Sequence, residues 1–173
     1  QRLSEEARNY LDRIRGKGWL DQINRAFERA DKMTVAFVGE VIIDEYRYVR
    51  GLGRASKELM LATVETGAEI FEGGALAASK HAEWQQAECV STGSAVRKTR
   101  FVDVDFNRKL FDVYSTTKII LPNEQRLNFQ GHLREVASQF DVVVVMDFGH
   151  GLLTEVERDI LMGSKFMALN VQT

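Results

Sequence analysis

The chain has 173 residues, 45% of them hydrophobic and 28% charged, which suits one globular unit with a sizeable core and excludes a linker or a disordered tail. A formal net charge of -2 gives no general pull toward nucleic acid or an anionic membrane, and neither is expected as a partner. The single cysteine, Cys89, excludes a disulfide framework and a multi-cysteine zinc site, no metal site is expected, and with no signal peptide or long apolar span the cytoplasm is the default compartment.

From Ser4 to about Ile14, SEEARNYLDRI predicts a helix with Ser4 as N-cap, acids in its first turn, and Ala7, Tyr10, Leu11 and Ile14 on one face. Gly16 and Gly18 break it. Trp19, Leu20, Ile23, Phe27 and Ala30 then mark a second amphipathic helix ending near Asp31. Next comes VAFVGEVIIDEY, two apolar runs around Gly39, which reads as a buried strand delivering Asp44 and Glu45 at its end. Carboxylates at such an exit lie where α/β proteins bind ligands.

Tyr46 to Ile70 alternates in short extended runs split by Gly51, Gly53 and Gly67, the pattern of hairpin strands outside the main sheet. Gly73-Gly74 opens a small-residue helix, ALAASKHAEW, that reaches Trp84. Two strand-like pieces follow at Thr99–Val104 and Lys109–Tyr114. Asn123 is placed to cap a helix over Glu124–Phe140 whose buried stripe is Leu133, Val136, Ala137 and Phe140. Asp141–Met146, DVVVVM, has the uniform apolar character of a parallel strand buried on both faces. The turn DFGHG ends it, Thr154 and Glu157 form a capping box for a helix through Leu161, and Phe166–Val171 is a further strand. Strand, helix, strand makes a βαβ unit, so Val35–Val38, Val142–Met146 and Phe166–Val171 are expected as parallel inner strands. The sequence stops at Thr173 directly after that strand, and it is expected to be part of a larger domain.

An ionised Asp44 can accept hydrogen bonds from paired hydroxyl donors, or it can be a solvated acid at a strand end. Gly73-Gly74 permits close backbone approach to a ligand and leaves N–H groups free at a helix start, or it is a turn. Lys98 and Arg100 either reach over a site as anion contacts or form the solvated side of a strand. Asp147-Phe148-Gly149 matches the metal-binding triplet of protein kinases, but their other motifs are absent, as are GxxxxGK[ST] and GxGxxG. Of the histidines, His150, in the glycine turn, is the one that points toward function.

VGEVIIDEY, the hairpin, FEGGALAASKHA, KTRFVD, DVVVVMDFGHGLL and FMALNVQT resemble, in that order over Val35–Thr173, the ribokinase-like (PfkB) sugar kinases. The resemblance is nearest to the heptose-phosphate kinase branch and to kinase domains fused to a sugar nucleotidyltransferase. It implies an open, mainly parallel α/β sheet flanked by helices with a small β flap, or lid. Residues 1–34 would be a helical connector or cap and 35–173 a partial kinase domain, its flap at about 46–72 and 97–114. Asp44 then matches the acid that binds sugar hydroxyls, and Gly73 and Gly74 match the diglycine that closes on the sugar. Ala77 falls where the family usually has a sugar-contacting asparagine. Lys98 and Arg100 match positions near the substrate phosphate, while Asp147, Gly149, His150 and Asn170 fall near the phosphoryl-transfer site.

The family's catalytic base and ATP-binding half would lie beyond Thr173, so no catalytic residue is expected in this chain. The implied reaction of the complete enzyme is ATP- and Mg²⁺-dependent phosphorylation of a sugar or sugar phosphate, in activated-sugar or glycan precursor synthesis. This chain alone is expected to bind neither cofactor. A homodimer through the flap is implied as well. The competing reading is a degenerate kinase-like domain that serves as a scaffold or dimerisation module.

Overall fold

The structure, a computed structural model, describes residues 3–16, 18–54, 60–82 and 86–172. In chain order the elements are α1 (Glu5–Gly16), α2 (Trp19–Ala30), β1 (Thr34–Gly39), β2 (Val41–Arg54), β3 (Leu61–Gly73), α3 (Gly74–His81), β4 (Gln86–Val90), β5 (Ala95–Asp103), β6 (Arg108–Tyr114), α4 (Asn123–Gln139), β7 (Val142–Asp147), α5 (Glu155–Leu161) and β8 (Met167–Val171). They make two four-stranded sheets, ordered β4-β1-β7-β8 and β3-β2-β5-β6.

The first sheet is parallel throughout. Its centre is apolar because β1 and β7 are flanked by strands on both edges and covered by helices. Ala36, Val38, Val143 and Val145 meet Phe129, Leu133 and Val136 of α4 and Leu161 of α5 in one core. Asp141 locks the start of this sheet, its Oδ2 accepting from the Thr34 backbone N–H and hydroxyl at 3.1 and 3.2 Å. The expected capping box is formed: Glu157 accepts from the Thr154 N–H at 2.8 Å and from its hydroxyl.

The two expected N-terminal helices form as α1 and α2, with no buried residue in either and with Trp19, Leu20 and Phe27 exposed. Three details differ from the sequence reading. Among the described residues β8 lies at the edge of its sheet and not inside it, and Leu169 on it is 61% exposed. Asn123 is the first residue of α4, with Pro122 at the cap. The helix after Gly73 ends at His81, and Trp84 lies outside the described residues.

The largest difference lies at Gly39. The run Val35–Tyr46 is two strands in different sheets, because the chain turns at Gly39-Glu40 and leaves the parallel sheet. At Gly39 a Cβ would sit 2.1 Å from the Met146 carbonyl oxygen, so only glycine lets β1 and β7 close there. The second sheet therefore begins at Val41, and Asp44 lies near the start of a 14-residue strand and not at a strand exit. β2 pairs antiparallel with β3 and parallel with β5, and β5 antiparallel with β6.

Candidate active site

Where the second sheet leaves the first, one of its faces overhangs the carboxyl ends of β7 and β8. Between them is a cleft of about 370 Å³ whose lining includes Asp44, Lys98 and Arg100 from the sheet and Phe148, His150 and Gln172 from the rim. The period of two along each strand explains the gathering. Asp44 is directly opposite Lys98 on β5 and Phe71 on β3, and Arg100 follows Lys98 two positions on, so their side chains share a face.

Asp44 is half-buried, and its carboxylate has no hydrogen-bond or ion-pair partner among the described residues. A Cβ at Gly73 would lie 3.3 Å from its Oδ2, so the diglycine backs directly onto this carboxylate. Gly74 has φ +65°, and a Cβ there would come 2.1 Å from the Glu40 carbonyl oxygen. A side chain at Gly74 would therefore displace the backbone beside the cleft, and one at Gly73 would press on the Asp44 carboxylate.

Lys98 and Arg100 are not free. The Asp112 carboxylate on β6 takes Lys98 Nζ at 2.9 Å and Arg100 Nε at 3.0 Å, and Arg100 Nη1 donates to the Tyr46 hydroxyl at 2.6 Å. Their shifts agree: the hydrogen bond to Asp112 raises the pKa of both cations. Partial burial pushes Asp112 up, but its bonds to Arg100 and Lys98 outweigh that and hold it below the usual carboxylate range. On the opposite face of the sheet Glu45 is similarly committed, to Arg47 at 2.7 Å and Arg97 at 3.3 Å.

Glu40 joins the two glycine turns that flank the cleft, and it is the site residue that pattern reading passed over. Its side chain is fully buried. Oε2 accepts from the Phe148 N–H at 2.6 Å and Oε1 from the Leu152 N–H at 3.4 Å, while its backbone oxygen takes the Ala75 N–H at 2.9 Å. The only signal in the sequence was an acid inside an otherwise apolar run. His150 is held in the turn that Glu40 supports, its Nδ1 3.1 Å from the Thr117 oxygen.

The remaining expected residues do not line the cleft. Asp147 is 4% exposed and its carboxylate turns to the α5 side, where Arg158 donates to Oδ2 at 2.9 and 2.7 Å. The cavity it lines there is a different one, shared with Leu161, Met167 and Leu169. Gly149 donates its N–H to Asp147 Oδ1 at 3.1 Å, and the Asn170 amide reaches Met146 Sδ at 3.8 Å. Ala77 sits within α3 and has no side chain able to meet a hydroxyl. Tyr114 and Gln172 line the cleft without having been singled out in the sequence.

Neither a family model nor a curated protein sequence matches the chain. Solved structures do. Phosphofructokinase-2 from Escherichia coli in its tetrameric inhibited form superposes with a TM-score of 0.53 at 8% identity, covering 81% of this chain and 55% of that one. The same enzyme in complex with fructose-6-phosphate gives 0.52 at 8% identity, with 82% and 55% covered. A Staphylococcus aureus structure assigned to the phosphofructokinases gives 0.53 at 10% identity, with 80% and 52% covered. The architecture is thus the ribokinase-like α/β fold of the PfkB-type sugar kinases, and the chain spans about half the length of the structures it matches.

Proposed function

We propose that this chain is the acceptor-binding half of a PfkB-type carbohydrate kinase. The observation that carries the reading is Asp44: a carboxylate with no partner among the described residues, in a cleft at the carboxyl ends of parallel strands, with a diglycine packed against it. Such a group binds a sugar by accepting hydrogen bonds from hydroxyls and holds one of them for phosphoryl transfer. In the complete enzyme the phosphoryl donor is ATP with Mg²⁺, and the substrate is a sugar or sugar phosphate of the heptose-like kind used for activated sugars and glycan precursors. Among the described residues no group of three or more His, Cys, Asp or Glu side chains is arranged to hold a metal ion, and Asp147 is bound to Arg158. These side chains therefore do not fit a magnesium site, and the metal is assigned no role at them. The base for the acceptor hydroxyl likewise belongs to the other half of the fold.

A scaffold is the second reading, favoured by Ala77 and by the uncovered outer face of the second sheet. There Phe101 and Phe111 stack at 4.7 Å with Phe111 57% exposed, a surface suited to pairing with a second copy. The two readings separate at Asp44→Ala. As a substrate group its loss weakens sugar binding by about 1.5–3 kcal/mol while thermal stability stays level. Isothermal titration with sugars and sugar phosphates, beside melts of the same proteins, checks this. Unchanged binding in a well-folded variant, or no binding by the parent, leaves only the scaffold.

A further inference from the structure

The cleft has four ionic side chains around it, and their pairing is uneven. Asp112 accepts from Lys98 Nζ at 2.9 Å and from Arg100 Nε and Nη2 at 3.0 and 3.5 Å. Arg100 thus turns its fork onto Asp112, and its remaining nitrogen is bonded to Tyr46. Lys98 also lies over the Tyr114 ring, 5.3 Å from its centre. Both cations are ion-paired to Asp112, and with Asp44 included the two positive and two negative groups cancel.

Among the described residues around the cleft, the one ionic group without a partner is the anion Asp44. A neutral polyol meets this arrangement well, donating hydroxyls to Asp44 and accepting from the ammonium hydrogens that Lys98 has left. A phosphate ester does not. It would find no net positive field, would stand close to the Asp44 carboxylate, and would have to break the Arg100–Asp112 fork to gain its own bidentate contact.

We propose that the cleft selects an uncharged sugar over the phosphate ester of that sugar, and that Asp112 is the specificity-determining residue because it neutralises Lys98 and Arg100. The proposal rests on the sugar-site reading of Asp44 and narrows it. It departs from the expectation that Lys98 and Arg100 hold a substrate phosphate. Asp112 touches no substrate; it acts through the two cations.

The test is calorimetric titration of the 173-residue protein with inorganic phosphate and with a panel of aldoses and ketoses, each beside its terminal phosphate ester. The parent protein is expected to bind at least one free sugar about tenfold more tightly than its ester and to leave inorganic phosphate unbound at millimolar concentration. Asp112→Asn, which keeps the shape and removes the counter-charge, is expected to raise the affinity for phosphate and for the esters by about tenfold or more, with the free sugar little changed.

Esters binding the parent more tightly than the free sugars, with inorganic phosphate competing, overturn the proposal and leave the kinase reading intact. That comparison needs no variant, so it decides the matter even where Asp112→Asn does not fold. If no sugar binds the parent but Asp112→Asn gains phosphate, the charge role of Asp112 stands and the sugar-site reading falls. A folded Asp112→Asn with no gain for phosphate or esters overturns the assignment of Asp112.

Discussion

The parallel sheet hides Ala36, Val38, Val143 and Val145 beneath α4 and α5, whereas the second sheet keeps Ile70, Phe71, Phe111 and Val113 exposed and carries ion pairs on both faces. The first is held by burial, and the second, which buries only Val49, Val96 and Val102 among its described apolar residues, relies more on its ladder and its charges. Burial of apolar area is the larger stabilising force, while exposed ion pairs contribute little. Stability therefore belongs to the first sheet. The second is left free to carry a cleft on one face and an uncovered apolar surface on the other.

The sharpest way to break this comparison is a matched pair of truncations. Leu133→Ala empties a fully buried position under the parallel sheet and should cost about 2–5 kcal/mol. Phe111→Ala on the outer face of the second sheet should cost no more than about 1 kcal/mol, most of it the stacking with Phe101. Urea unfolding of the two variants decides it, and equal losses would mean that the second sheet has a core of its own.

Acid should attack the parallel half through Glu157. Burial pushes this carboxyl up, but Thr154, Gln130 and Arg126 outweigh it and bring the pKa to about 2, from an ordinary 4.5. Because the folded value lies below the unfolded one, the stabilisation is complete above about pH 4.5 and is lost as pH falls toward 2. At about 1.4 kcal/mol per unit, roughly 3 kcal/mol is at stake. Thermal melts between pH 6 and 2 should show the decline, and Glu157→Gln should flatten it while lowering stability at neutral pH.

A smaller effect joins the two regions. Glu40→Gln sets an amide group against the Phe148 and Leu152 N–H donors and should cost about 1–3 kcal/mol. Hydrogen exchange should quicken first at Phe148 and Leu152, with the β5–β6 ladder unchanged. Uniform quickening over both sheets would mean that Glu40 is only another core residue.

Much of the parallel half was legible because its elements follow local rules. DVVVVM at β7 has no polar residue to expose, Ser4 caps α1 through a 3.2 Å bond to the Ala7 N–H, and Thr154 with Glu157 caps α5. The stripe Leu133, Val136 and Ala137 is buried as its helical spacing implies. The cleft was legible in part, since Asp44, Lys98, Arg100 and His150 line one cavity. Asp147 does not line the cleft, because a strand-end acid can turn to either side and Arg158, 11 residues on, turns it away.

What the sequence determined by itself was which segments are strand or helix and which faces are apolar, because those depend on neighbours two to four residues apart. Only the tertiary structure decided that the chain changes sheets at Gly39, that Glu40 supports two turns, and that Asp112 occupies Lys98 and Arg100. Each of these depends on partners brought together from distant parts of the chain. Glu40 meets Phe148 across 108 positions, and β5 aligns with β2 by register alone. A charge read in sequence has a sign and no partner; the register that supplies the partner is set when the sheets pair and the core closes.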